Sequence, residues 1–140
     1  MRGQKPEGRK KRFTGHVFTH PDDLFYTEGA SRKTPILCSE VVKWLSEYRV
    51  YVLNGSIVGV KHYEGDREIK IDEQVAVEAV HLLQASHQGT AGYAIDLGIM
   101  SDGKTALVEW NDGFSLGSYN LDRAVYTDLQ IARWCEITGC

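Results

Sequence analysis

The sequence predicts an α+β fold, an antiparallel sheet with packed helices, and three observations carry that expectation. Two pairs of apolar, β-branched and aromatic segments are each joined by a dipeptide suited to a tight hairpin, Asn54-Gly55 and Asp102-Gly103. Between the hairpins, Val75, Ala76, Ala79, Val80, Leu82 and Leu83 recur at helical spacing. A second stripe, Leu121, Val125, Leu129, Ala132 and Trp134, follows the second hairpin. Hairpin, helix, hairpin, helix, with strands in excess, is the pattern of α+β architecture.

The chain's 140 residues and 42% hydrophobic content suit a single domain with its own core. A formal net charge of -3 argues against a body built to bind nucleic acid. No apolar run is long enough to span a bilayer, and no signal-peptide pattern opens the chain. Cys38, Cys135 and Cys140 are odd in number and lack metal-ligand spacing, so free thiols in a cytoplasmic protein are expected.

In chain order, Arg2 to Arg12 carries six basic residues against Glu7 alone, either an arm for RNA or another polyanion or an ordinary solvated terminus. Arg12 to Phe18 alternates well enough for a short strand around Gly15, and His20-Pro21-Asp22 reads as a turn. Thr27 to Lys33 is polar and reads as a loop. Pro35 to Cys38 and Val41 to Leu45 read as a strand broken near Ser39-Glu40. Glu47 to Leu53 and Ser56 to Tyr63 are the arms of the first hairpin, rich in the β-branched and aromatic residues that strands favour. A strict two-residue turn there places Arg49 and Lys61 on opposite faces. Asp72 caps the first helix, which ends near Ser86, with Glu73 complementing the dipole. His87 to Gly92 is a connection, and Asn120 or Asp122 caps the last helix.

The second hairpin, within Tyr93 to Tyr119, holds the strongest clue to function. A two-residue turn at Asp102-Gly103 pairs Ser101 with Lys104, Ile99 with Ala106, Leu97 with Val108 and Ile95 with Trp110, making one apolar face. On the other face Asp96 falls opposite Glu109, with Asn111 two residues along. Carboxylates about 5 Å apart across a ladder repel. A divalent cation between them reverses that sign, and oxygen ligands of this kind suit Mg²⁺. The competing reading is a polar, solvent-facing side of an amphipathic hairpin.

Other residues admit two readings each. Arg49 lies among sheet-core residues and needs a partner, which Glu47, Glu40 or a phosphate supplies. Lys61 serves a phosphate or snorkels to solvent. Lys11-Arg12-Phe13-Thr14-Gly15 can lay backbone amides and an ammonium on phosphates, a weak signal by itself. His16, His20, His62, His81 and His87 show no metal spacing, and no serine elbow, Walker lysine or Cys-His nucleophile pattern is present.

Several segments together resemble the ATP-grasp superfamily, in particular its R2K-like group. They are Lys5-Pro6, Lys11 to Gly15, Cys38 to Val42, Glu47 to Val50 and Tyr63 to Asp66. The more specific ones follow: Asp96-Leu97-Gly98, Leu107 to Gly113, Leu116 to Tyr119 and Arg133-Trp134. The resemblance implies ATP between two α+β lobes and Mg²⁺ bridging its phosphates to acidic strand residues. Carried over by position, Asp96, Glu109 and Asn111 look like metal ligands, Lys5 and Lys11 like phosphate-contacting lysines, and Arg49 like the arginine steadying the transferred phosphate. Residues 36 to 41, with Cys38, Glu40 and Val41, look like the hinge whose backbone reads adenine.

The implied chemistry activates a carboxylate as an acyl phosphate for attack by an amine, through positioning and charge neutralisation rather than a side-chain nucleophile. On this resemblance, residues 1–42 are a remnant of the small lobe and hinge, and 43–140 carry the large-lobe hairpins and helices. The shortened small lobe looks like that of a chain missing its amino-terminal half, by truncation, gene splitting or a misplaced start, and the partners this implies are a homo-oligomer or a separate amino-terminal subunit. The alternative function is a nucleotide-binding or oligomeric interaction module that keeps the fold without turnover.

Overall fold

The computed structural model describes residues 2–6, 15–27, 31 and 33–140, with residues 2–6 and 37 described as backbone only. The chain divides into two compact units, Met1–Val42 and Lys43–Cys140.

The first unit is a three-stranded antiparallel sheet of β1 (Arg2–Pro6), β2 (His16–Phe18) and β3 (Ile36–Glu40), in the order β2-β1-β3. Arg2–Pro6 is therefore the central strand, with Gly3 opposite both Val17 and Ser39, and not part of a basic arm. Its place comes from backbone pairing on both sides, which leaves no apolar alternation to read. A 3₁₀ helix, Pro21–Thr27, extends the turn expected at His20-Pro21-Asp22, and the Asp23 carboxylate accepts from Thr19 N at 2.6 Å and His20 N at 2.8 Å. β3 runs unbroken through Ser39-Glu40; the interruption expected there falls at residues 41–43.

The second unit is a four-stranded antiparallel sheet, β5-β4-β6-β7, from β4 (Trp44–Leu53), β5 (Ser56–Gly65), β6 (Gly92–Met100) and β7 (Thr105–Asp112). Helix α1 (Glu73–Ala85) starts at Asp72, whose side chain accepts from Gln74 N. Helix α2 (Arg123–Thr138) starts at Asp122, which accepts from Ala124 N and Val125 N. One sheet face buries Tyr48, Val50, Val52, Tyr93, Ile95 and Leu97 against Ala76 and Val80 of α1. The other buries Tyr51 and Ala94 against Leu129 of α2 and against Leu116 and Leu121 of the segment that precedes it.

Both hairpins form, but only one turn is of the expected type. Asn54 (φ 48°) and Gly55 (φ 80°) make the two-residue turn between Leu53 and Ser56. At the other, Met100 and Lys104 close a three-residue loop: Met100 N–H donates to the Lys104 carbonyl and Gly103 N–H to the Met100 carbonyl, each at 2.9 Å. Gly103 alone takes a positive φ, 83°, so Ser101 does not pair with Lys104. The register is displaced by one, and Leu97 faces Leu107 while Ile99 faces Thr105, rather than Val108 and Ala106. A bulge at Val108 then restores the expected pairing, with Asp96 opposite Glu109 and Ile95 opposite Trp110. The two departures cancel where the carboxylates lie.

In the first hairpin a bulge at Val58 changes the register beyond Tyr51, and a second at Tyr63 changes it beyond Tyr48. Arg49 therefore pairs directly with Lys61, on one face, and not across the sheet from it. No helix among the described residues is long and apolar enough to cross a membrane. Cys38, Cys135 and Cys140 are free.

Candidate functional site

The bulges align one residue from each strand of the second unit. Lys61 pairs with Arg49, Arg49 with Asp96, and Asp96 with Glu109, so the row crosses β5, β4, β6 and β7 on a single face. Two cations lie on one side of the row and two carboxylates on the other. Asn111 follows Glu109 on the same face, opposite Ala94.

The centre of the row is buried. Asp96 is 1% exposed and Arg49 8%, and the two are joined as a fork: Nε donates to Oδ1 at 2.7 Å and Nη2 to Oδ2 at 2.6 Å. Asn111 Nδ2 adds a third donor to Asp96 Oδ2 at 3.1 Å. Arg49's partner is thus Asp96 and not Glu47 or Glu40, and the charge that faces Asp96 includes a cation as well as Glu109. The bond to Asp96 holds the Arg49 guanidinium firmly protonated, outweighing the opposing effect of burial. A buried charge pair of this kind persists only when its hydrogen bonds are good, as these are.

Aromatic side chains surround the guanidinium. Its carbon lies 4.9 Å from the Tyr119 ring centroid and 5.8 Å from that of Tyr63. Tyr63 donates its hydroxyl to Glu47 Oε2 at 2.8 Å, and burial, then that bond, pushes its phenol far up. Tyr51 donates to the Gly117 carbonyl at 2.6 Å, and burial pushes its phenol up to about 12. Tyr126 donates to the Leu116 carbonyl and Gln130 to the Gly113 carbonyl, each at 2.5 Å, so the strap between β7 and α2 is tied to the sheet and to the helix. At the far end of the same face Trp44 packs on Gly98, where a β-carbon would come within 2.3 Å of the indole.

Asp96, Glu109 and Asn111 stand on adjacent strands with hard oxygen donors. Among the described residues no group of three or more His, Cys, Asp or Glu forms a metal cage. Mg²⁺ bound by one or two carboxylates together with substrate phosphates and water needs no such cage, and the set fits that mode. Asp96 keeps acceptor capacity beyond its three N–H bonds, because each carboxylate oxygen has two lone pairs.

The remaining sequence-derived residues lie in the first unit. Lys5 is on β1 opposite Leu37, Cys38 and Glu40 are exposed on β3, and Val41 follows β3 at 44% exposure. Lys11 lies outside the described residues. Sequence reasoning missed Tyr63 and Tyr119 as parts of the site. Both lie in segments that resemble the family, but their approach to Arg49 depends on a bulge and on a left-handed turn, which no spacing rule reports.

The sequence matches the family described as ATP-grasp domain, R2K clade family 2, over residues 4–129. No curated protein is similar to it in sequence. Among solved structures, the ATP-grasp ligase PsnB, complexed with a phosphomimetic variant of minimal precursor, Mg and ADP, is similar at 15% identity and a TM-score of 0.52. That match covers 97% of this chain and 44% of PsnB. Macrocyclase MdnC bound with precursor peptide MdnA, from Microcystis aeruginosa MRC, is similar at 14% identity and a TM-score of 0.55, covering 99% and 48%. N5-carboxyaminoimidazole synthetase from Staphylococcus aureus follows at 10% and 0.52, covering 99% and 40%. At these identities the likeness is one of fold, and the chain spans less than half the length of each of these structures.

Proposed function

The chain belongs to the ATP-grasp family, R2K clade family 2, and from that premise we propose that it serves the ATP- and Mg²⁺-dependent joining of a carboxylate to an amine. The observation that carries this reading is the row Lys61, Arg49, Asp96, Glu109 with Asn111 beside it. Two cations and an oxygen-donor set on one rigid sheet face are what a metal-bound polyphosphate needs on its two sides. A solvent-facing polar surface does not account for a 1% exposed carboxylate at the centre of the row.

In the proposed reaction a substrate carboxylate oxygen attacks the terminal phosphorus of ATP, the bond to ADP breaks, and an acyl phosphate forms. An amine then attacks the acyl carbon and inorganic phosphate leaves. Bound Mg²⁺ supplies charge neutralisation at the phosphates. Asp96, Glu109 and Asn111 would hold it. Arg49, fixed by Asp96, presents donors to the transferred phosphoryl group, and Lys61 adds charge on the same face. Lys5 and Lys11 as phosphate lysines, and Cys38, Glu40 and Val41 as the adenine hinge, rest on the family resemblance, as does the assignment of residues 1–42 to the small lobe and hinge. The acceptor side is assigned to the rest of an ATP-grasp ligase, whether continuous with this sequence, carried by a separate subunit or contributed by a second copy.

Thermal unfolding with ATP, with and without Mg²⁺, tests this. A hundredfold excess over the dissociation constant should stabilise the protein by about 3 kcal/mol. Absence of any Mg²⁺-dependent shift removes the reading. A shift without ADP release in the presence of carboxylates and amines moves the assignment to a nucleotide-binding module.

A further inference from the structure

The strap after β7 contains a backbone conformation that L side chains rarely adopt. Tyr119 has φ 39° and Asn120 φ 62°, and Leu121 N–H donates to the Ser118 carbonyl at 2.7 Å. Two positive-φ residues closed by that bond have the signature of a type I′ turn, whose central positions favour Asn, Asp or Gly. A tyrosine at the first of them is strained, and such strain persists where the surroundings hold it.

Those surroundings are specific. The turn lays the Tyr119 ring over the Arg49 guanidinium at 4.9 Å, and Tyr119 stacks on Tyr63 with centroids 5.0 Å apart and 19° between planes. Tyr63 is the extra residue of the β5 bulge, anchored by its hydroxyl on Glu47. Arg49 commits Nε and Nη2 to Asp96, which leaves the Nη1 edge outside that fork. The strap passes close to that nitrogen at Gly117, where a β-carbon would come within 3.9 Å of Nη1.

We propose that Tyr119, backed by Tyr63, is a positioning residue that fixes the plane of the Arg49 guanidinium and presents its Nη1 edge to an anionic phosphoryl oxygen. The inference rests on the nucleotide reading above for the identity of the anion, and on geometry alone for the orientation. Asp96 holds one edge of the guanidinium and still lets the plane tilt about the contact; a ring on its face removes that freedom. The aromatic pair thereby completes what the carboxylate begins.

Tyr119→Asn is the discriminating variant, because asparagine suits the left-handed turn while the ring is lost. Tyr119→Phe keeps the ring and serves as the rescue. In the full chain labelled with ¹⁵N, the Arg49 Nε–H resonance should lose its ring-current shift and exchange faster with water in Y119N but not in Y119F. Affinity for Mg·ATP, by calorimetric titration, should fall about fivefold in Y119N, because the freed guanidinium must then be ordered on binding, with Mg·AMP unchanged and Y119F like wild type. An unchanged Arg49 resonance in Y119N overturns the proposal, as does a changed resonance with unaltered Mg·ATP affinity. Wild type that binds no Mg·ATP overturns the nucleotide reading, and the resonance then decides the orientation alone.

Discussion

The two faces of the four-stranded sheet use the same strands for opposite ends. Toward α1, β4 and β6 present Tyr48, Val50, Val52, Tyr93, Ile95, Leu97 and Ile99, and every one is buried in a single apolar cluster. Toward α2, the alternate residues of those strands that are fully buried and apolar are Tyr51 and Ala94, packed with Leu129. One step further they are Arg49 and Asp96, equally buried but charged. The first face stabilises by area removed from water. The second spends part of that burial on a charge pair whose desolvation roughly cancels its attraction. The contrast leaves Arg49 and Asp96 contributing little net stability, in keeping with the recognition role proposed for them.

The largest expected effect breaks the charged face. Asp96→Ala leaves Arg49 buried without its fork and should cost about 3–5 kcal/mol in urea unfolding. A double variant, Arg49→Leu with Asp96→Leu, should recover most of that loss and abolish Mg·ATP stabilisation. If the double variant is no more stable than the single one, the contrast between the faces is wrong. Ile95→Ala on the opposite face should cost about 3 kcal/mol through the cavity it leaves. Its Mg·ATP affinity by titration should match wild type, because no site side chain shares that face.

A smaller effect sharpens the comparison by asking whether every ion pair on the α2 side has this character. Asp112 takes a fork from Arg133, Nε at 2.6 Å and Nη2 at 2.6 Å, at the edge of the sheet. Burial pushes the Asp112 carboxyl up, but the Arg133 fork and the Phe114 N–H more than reverse that, so it lies below its ordinary 3.8. With the folded value depressed, the contribution is present above pH 3.8 and disappears as pH falls through the folded value. Arg133→Met should cost about 2 kcal/mol at pH 7 and less at pH 3, measured by urea midpoints. An equal loss at both pH values would assign the effect to packing. The smallest effect is local to the apolar side: Asp72→Ala, which removes the α1 cap, should cost about 1 kcal/mol with no change in nucleotide response.

The apolar face was legible because it needs only alternation. Tyr93, Ile95, Leu97 and Ile99 repeat at period two, and any register that keeps them together gives the same face. The facing of Asp96 and Glu109 was also legible, though by a register that fails nearer the turn. A three-residue loop at Ser101–Gly103 displaces the ladder by one, and the Val108 bulge displaces it back. Lys61 beside Arg49 was not legible, since the Val58 bulge that brings it there leaves no mark in the composition of the strand. Nor was the pairing of Arg49 with Asp96, which joins residues 47 positions apart through the inner strands of the sheet.

By itself the sequence determined the element types, the helix caps at Asp72 and Asp122, the Asn54-Gly55 hairpin, the family and the residues from which a site would be drawn. These follow from local chemistry: side-chain period, cap oxygens and left-handed turn residues act within a few positions of each other. Tertiary structure decided which of those residues meet. Strand order, set by non-local pairing of β4 with β6, put the arginine against the aspartate. Bulges, whose cost is set by the partner strand, brought Lys61 and Tyr63 to the same face. The Ser118–Leu121 turn carried Tyr119 over the guanidinium, an arrangement held by contacts with residues dozens of positions away.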